Sequence, residues 1–106
     1  MQIQINTDRN IDGTLEVTQR LTELCERLLE RFREDITRLE VHLSDVNGRG
    51  KGGANDIKCT IEARVRGRQP TVVTHEDAVV EAACRGALDK MRSALDSELG
   101  RLRAHR

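Results

Sequence analysis

Three histidines, three cysteines and one glycine-rich basic run are the parts of this chain that could carry chemistry. His42, His75 and His105 fall on a strand pattern, at a helix start and in the C-terminal tail. No Ser or Cys stands at a spacing that would pair it with one of them as nucleophile and base. His42 can reach Glu40 or Glu62 from the outer side of its strand, a common surface pairing. Cys25, Cys59 and Cys84 are odd in number, widely spaced and without a CxxC pair. A structural zinc needs four convergent ligands. All three cysteines instead lie on or beside apolar stripes, so they read as reduced thiols in a core. No enzyme, metal, cofactor or small-molecule substrate is expected.

The run Asn47, Gly48, Arg49, Gly50, Lys51, Gly52, Gly53 invites a phosphate-loop reading. It lacks the GxxxxGK[ST] pattern and opens a strand, not a helix. It reads as a flexible hairpin loop whose Arg49 and Lys51 can reach a nucleic-acid backbone. The next strand says more. Lys58, Arg64 and Arg66, with Arg38 from the preceding strand and Arg68 at a turn, share one outward face, which Glu40 and Glu62 interrupt. The chain has one Phe and no Tyr or Trp. From charge alone the face reads equally as a solvated sheet surface. Single-stranded readers stack bases on aromatic rings, so if it binds nucleic acid, a face of this composition suits the shape and phosphates of folded RNA.

Formal net charge is zero, but it is unevenly spread. Residues 1–46 are net −4, residues 47–68 net +4 and residues 69–98 net −3; the tail 99–106 adds three arginines and no acid. With 106 residues, the chain suits one domain with one core. No apolar run approaches the roughly 18–20 residues that span a membrane. Met1–Asn6 has no signal-peptide character. The protein is expected to be cytoplasmic; a monomer is favoured, with the oligomeric state and association through an edge strand left open.

Hydrophobic period supplies the elements that position these groups. Ile3 and Ile5 alternate with Gln2, Gln4 and Asn6 in a strand over residues 1–6. Asp12-Gly13 signals a turn. Thr14 can cap a helix over 14–33, with Val17, Leu21, Leu24, Leu28 and Phe32 on one stripe. Leu39, Val41 and Leu43 face inward from a strand over 36–46. Ile57, Cys59, Ile61, Ala63 and Val65 do so from a strand over 56–66. Gly67 and Arg68 suit a hairpin turn into a short strand over 69–73, where Pro70 fits an edge. Thr74-His75-Glu76-Asp77 has the form of a capping box opening a helix over 75–102, with a basic tail over 103–106. The fold class is α+β, two layers in the order β-α-β-β-β-α. The first two strands should be parallel, joined by a right-handed crossover, and both helices should cover one face of a four-stranded sheet.

Several runs together resemble a known family. They are Arg38-x-Glu40-Val41-His42-Leu43-Ser44-Asp45-x-Asn47-Gly48, Asp56-x-Lys58-Cys59, and Glu62-Ala63-Arg64 with Gly67 and Pro70. The second helix adds Ala87-x-x-Lys90 and Leu99-Gly100-Arg101-Leu102-Arg103. They are similar to the ribosome hibernation-promoting factor and ribosome-associated inhibitor family, also called the sigma-54 modulation family, in its short form. The resemblance implies a non-enzymatic stress or stationary-phase factor. Such a factor binds rRNA of the small ribosomal subunit in the channel of messenger and transfer RNA, and blocks translation. It implies that basic side chains make the contacts: Arg38, Lys58, Arg64, Arg66, Arg68, Arg85, Lys90, Arg92, Arg101 and Arg103, above all Arg64, Lys90 and Arg101. Many members are strongly basic, and this chain is neutral. Long-form members carry a further C-terminal domain that pairs ribosomes, so any ribosome dimerisation here would need another factor. The alternative is a protein-interaction or stress-regulatory module of the same fold without ribosome binding.

Overall fold

The computed structural model describes residues 1–46 and 56–104, with side chains through Gly100. The glycine-rich run with Arg49 and Lys51, and His105 in the tail, lie outside the described residues. The elements are β1 (Gln2–Thr7), α1 (Leu15–Leu28), a 3-10 turn (Glu30–Phe32), β2 (Ile36–Asp45), β3 (Ile57–Val65), β4 (Thr71–Asp77) and α2 (Val80–Ala104). The sheet order is β1-β2-β3-β4. β1 pairs with β2 in parallel, and the two later pairings are antiparallel. The parallel first pairing and the β-α-β-β-β-α order agree with the expectation from periodicity.

Helix α1 starts where Thr14 places it. The Thr14 hydroxyl accepts from the Val17 amide at 3.2 Å, which satisfies one of the orphan donors of the first turn. Thr14→Ala should cost about 1 kcal/mol, read as a lower urea midpoint at unchanged slope. The helix is shorter than the 14–33 expected. It stops at Leu28 and tightens into the 3-10 turn. That tightening lets both Leu29 and Phe32 enter the core, at 0% and 2% exposure.

β2 contains a register irregularity between Ile36 and Arg38. Strict alternation would turn Ile36 outward with Arg38 and Glu40. The extra residue, Thr37, resets the phase, so Ile36 is buried together with Leu39, Val41 and Leu43. From β3, the side chains of Cys59, Ile61, Ala63 and Val65 meet Ala83, Cys84, Ala87, Leu88, Met91 and Leu95 of α2 in the same core. Each large side chain buried there contributes about 1.5–3 kcal/mol. Cys25, Cys59 and Cys84 are free and fully buried. Hydrogen bonding to Cys84 and burial push the Cys25 and Cys59 thiols up, which keeps them unreactive.

The hairpin turns at Gly67, whose φ of +72° is costly for any residue with a Cβ. The segment after the hairpin departs from expectation. The strand does not end at residue 73, and Thr74-His75-Glu76-Asp77 is not a capping box. All four belong to β4, and α2 begins at Val80. β3 offers continuous partners as far as Ile57 opposite Asp77. Val73, His75 and Asp77 also keep an inward period of two, which a helix start would break. Asp77 does stabilise the turn into α2: its carboxylate accepts from the Ala78 amide at 2.8 Å and lies 3.3 Å from His75 Nε2. The Ala78 amide, then His75, hold its carboxyl below the ordinary value. That stabilisation is present at neutral pH and is lost as pH falls through the depressed pKa.

Candidate nucleic-acid interface

Strand register arranges the outer sheet face in rows. Gln2, Arg38 and Arg64 form one row; Gln4, Glu40, Glu62 and Val72 form the next. Asn6, His42, Thr60 and Thr74 form a third, and Ser44, Lys58 and Glu76 a fourth. Arginine therefore lies beside arginine and glutamate beside glutamate. Each arginine then pairs along its own strand: Arg38 Nε with Glu40 at 3.7 Å, and Arg64 Nε with Glu62 at 3.7 Å. The middle of the face is a neutral ladder. Arg38 is further braced by the amide oxygens of Gln2 and Gln4, and its side chain is only 35% exposed. Arg64, at 57%, is the more open of the two. His42 is placed by Asn6, with Nδ2 and Nδ1 3.5 Å apart, in place of the acids expected beside it.

The ten basic residues singled out from the sequence do not form one patch. Arg38 and Arg64 occupy the row at one end of the sheet face. Arg66 and Arg68, both exposed, continue beyond that row where β3 ends. Lys58 is on the same face but six residues up the strand from Arg64, about 20 Å away, in register with Glu76. Arg85 and Arg92 share a helical stripe of α2 with Asp89 and Asp96 by their spacing. Arg92 pairs with Asp89 at 3.8 Å and lines a cleft of about 340 Å³ with Arg27, Glu30 and Arg31. That stripe belongs to the helix layer, on the other side of the domain from the sheet face. Lys90 reaches the β4 edge, where its ammonium donates to the Thr74 carbonyl at 2.8 Å. Arg101 and Arg103 lie in the last turns of α2, at the end where β4 begins, and their side chains are outside the described part.

One cation of this end is not among those ten. Arg33 comes just after the 3-10 turn and lines a concavity of about 380 Å³ with Glu34, Thr37 and Arg66. A parallel crossover must return the chain to the start of β2, which register puts beside the end of β3. That rule is the signal that places Arg33 near Arg66. Phe32, the single aromatic residue, is 2% exposed. The surface therefore offers no Phe, Tyr or Trp ring to stack a base. Among the described residues, no group of His, Cys, Asp or Glu side chains is arranged to hold a metal ion, and no helix is long and apolar enough to cross a membrane.

Fold and site define a two-layer α+β protein with a ring-free, charge-laddered sheet face and a basic end. A family model described as "Sigma 54 modulation protein / S30EA ribosomal protein" matches residues 5–103, and the chain belongs to that family. Among solved structures it is similar to the N-terminal domain of Protein Y from Thermus thermophilus. The TM-score is 0.70 at 24% identity, covering 92% of this chain and 98% of that one. It is also similar to a ribosomal subunit interface protein from Coxiella burnetii, with a TM-score of 0.63 at 17% identity, covering 94% and 99%. No curated protein sequence is matched.

Proposed function

We propose that this protein is a cytoplasmic, ribosome-associated factor that contacts rRNA of the small subunit and inhibits translation during stress or stationary phase. It does so as a non-enzymatic binding protein. Family membership supports the ribosome as partner, and the similar Coxiella burnetii structure is of a ribosomal subunit interface protein. The observation that carries the mode of contact is the pairing of a basic sheet end with a fully buried aromatic. Recognition then rests on phosphates and groove shape. Arg64, Arg66 and Arg68 are the principal contacts, supported by Arg38 and Arg33. Lys58 contributes from the far end of the face.

Zero net charge favours a second reading, a protein-interaction module of the same fold. Sedimentation of a stationary-phase lysate through sucrose at low salt separates the two. Co-migration with the small subunit is expected, and a protein that stays at the top of the gradient excludes the ribosomal reading. Salt dependence is the sharper measure. Log affinity should fall by roughly 0.7–0.9 for each log unit of salt per phosphate contacted. With three to six cations engaged, a slope of about −2 to −5 is expected. A flat dependence would assign the interaction to a protein surface.

A further inference from the structure

The β4 edge carries a contact that lies outside the basic sheet end proposed above as the RNA interface. Among the described residues, the sheet order leaves one side of β4 without a partner strand. Thr60 and Thr74 are register partners, and their hydroxyl oxygens approach to 3.4 Å. Such close side chains mark a non-hydrogen-bonded antiparallel pair. The amide and carbonyl of Thr74 therefore point away from β3, and by the period of two so do those of Val72 and Glu76. Together they are a template for an incoming strand. The middle acceptor of that row, the Thr74 carbonyl, is taken by the Lys90 ammonium at 2.8 Å.

We propose that β4 is a self-pairing edge that Lys90 holds closed. While the ammonium sits on Thr74 the chain is a monomer. Once the ammonium is removed, two copies pair β4 to β4, antiparallel, about a two-fold axis at Thr74. The register is set by the groups that face outward. Thr74 meets Thr74 and Val72 meets Glu76, so every outward amide and carbonyl finds a partner. The strand is rich in β-branched residues over Thr71, Val72, Val73 and Thr74, which suits pairing. Charge selects a second copy in this orientation. The two-fold sets Glu76 opposite the neutral Val72 and Asp77 opposite Thr71, so no like charges meet across the pair. Parallel pairing would set Glu76 beside Glu76.

Sedimentation velocity of the full chain tests this with Lys90→Ala, Lys90→Met and Lys90→Arg. Lys90 is exposed, and two neutral variants guard against a folding defect in either. The wild type and Lys90→Arg should be monomeric. Lys90→Ala and Lys90→Met should self-associate with a constant raised about thirtyfold or more, the effect of two recovered backbone hydrogen bonds, one at the Thr74 carbonyl of each copy. Adding Thr74→Pro removes an amide that faces only the open edge and should restore the monomer. Three results overturn the proposal: neutral variants that fold and stay monomeric, a wild type that already dimerises, or association that Thr74→Pro leaves unchanged.

Discussion

Replacing Arg64 and Arg66 together by glutamate should lower affinity for the small ribosomal subunit by about 100-fold, with little change in the melting curve. The double change removes two phosphate contacts and adds two repulsions, at about 1.4 kcal/mol for each tenfold step. The salt slope should become shallower by about 1.4–1.8 as two counterion releases disappear. Stability should hold because both residues are exposed. Among the described residues the one ion pair broken, Arg64 with Glu62 at 3.7 Å, joins a side chain 57% exposed to one 31% exposed. Pairs of that kind contribute well under about 1 kcal/mol. Arg20→Glu with Arg27→Glu is the matched control, since both are exposed residues of α1. It changes net charge equally on the helix layer. Equal losses from the two double variants would show a diffuse charge effect, and a larger loss from the α1 variant would move the interface to the helices. Filter binding of purified subunits at two salt concentrations is enough to decide.

Gly86→Ala should destabilise the fold by about 2 kcal/mol, although alanine is the better helix former by about 1 kcal/mol. A Cβ at Gly86 would overlap Cδ2 and Nε2 of His75. The imidazole fills the space that the glycine leaves between α2 and β4, and it lies within hydrogen-bonding distance of Asp77. To admit a methyl group the ring must swing out, and the contact with Asp77 is lost with it. On a His75→Ala background the obstruction is gone, and Gly86→Ala should then stabilise by up to about 1 kcal/mol through propensity alone. The reversal of sign is the diagnostic result, a coupling of more than about 2 kcal/mol between contacting residues. Urea unfolding of the four proteins measures it. If alanine at position 86 stabilises in both backgrounds, the helix and strand are not as close as described.

Gly86 and His75 also mark how far the sequence reaches. Gly86 suggests close packing by its place in an apolar helix, but nothing local names its neighbour. Thr74-x-x-Asp77 imitates a capping box and so predicts a helix start at His75. The structure keeps His75 in β4, where it faces α2. A four-residue motif is outweighed by strand pairing along β3, a non-local term that sequence period does not contain. Ile36 is similar. Its phase in the strand points outward, and only a bulge at Thr37 turns it into the core. Among the cations, alternation is enough to put Arg38, Arg64 and Lys58 on the outer face, because alternation decides faces. The family resemblance groups Lys90 and Arg92 with them, and the structure gives these two separate partners, Thr74 and Asp89.

Faces, helix stripes and strand order are thus written in the local pattern, because hydrophobic period determines which side of an element must leave water. The absence of a stacking ring is equally plain, since composition alone removes it. Only tertiary structure decides which charges stand together. Register sets arginine beside arginine and glutamate beside glutamate, so the sheet face is neutral at its middle and basic at one end. It brings Arg33, far from Arg66 in sequence, to that same end. It also carries Lys90 to the edge of β4. Those placements depend on where separate elements dock, and docking is set by the shared core, not by any one segment of the chain.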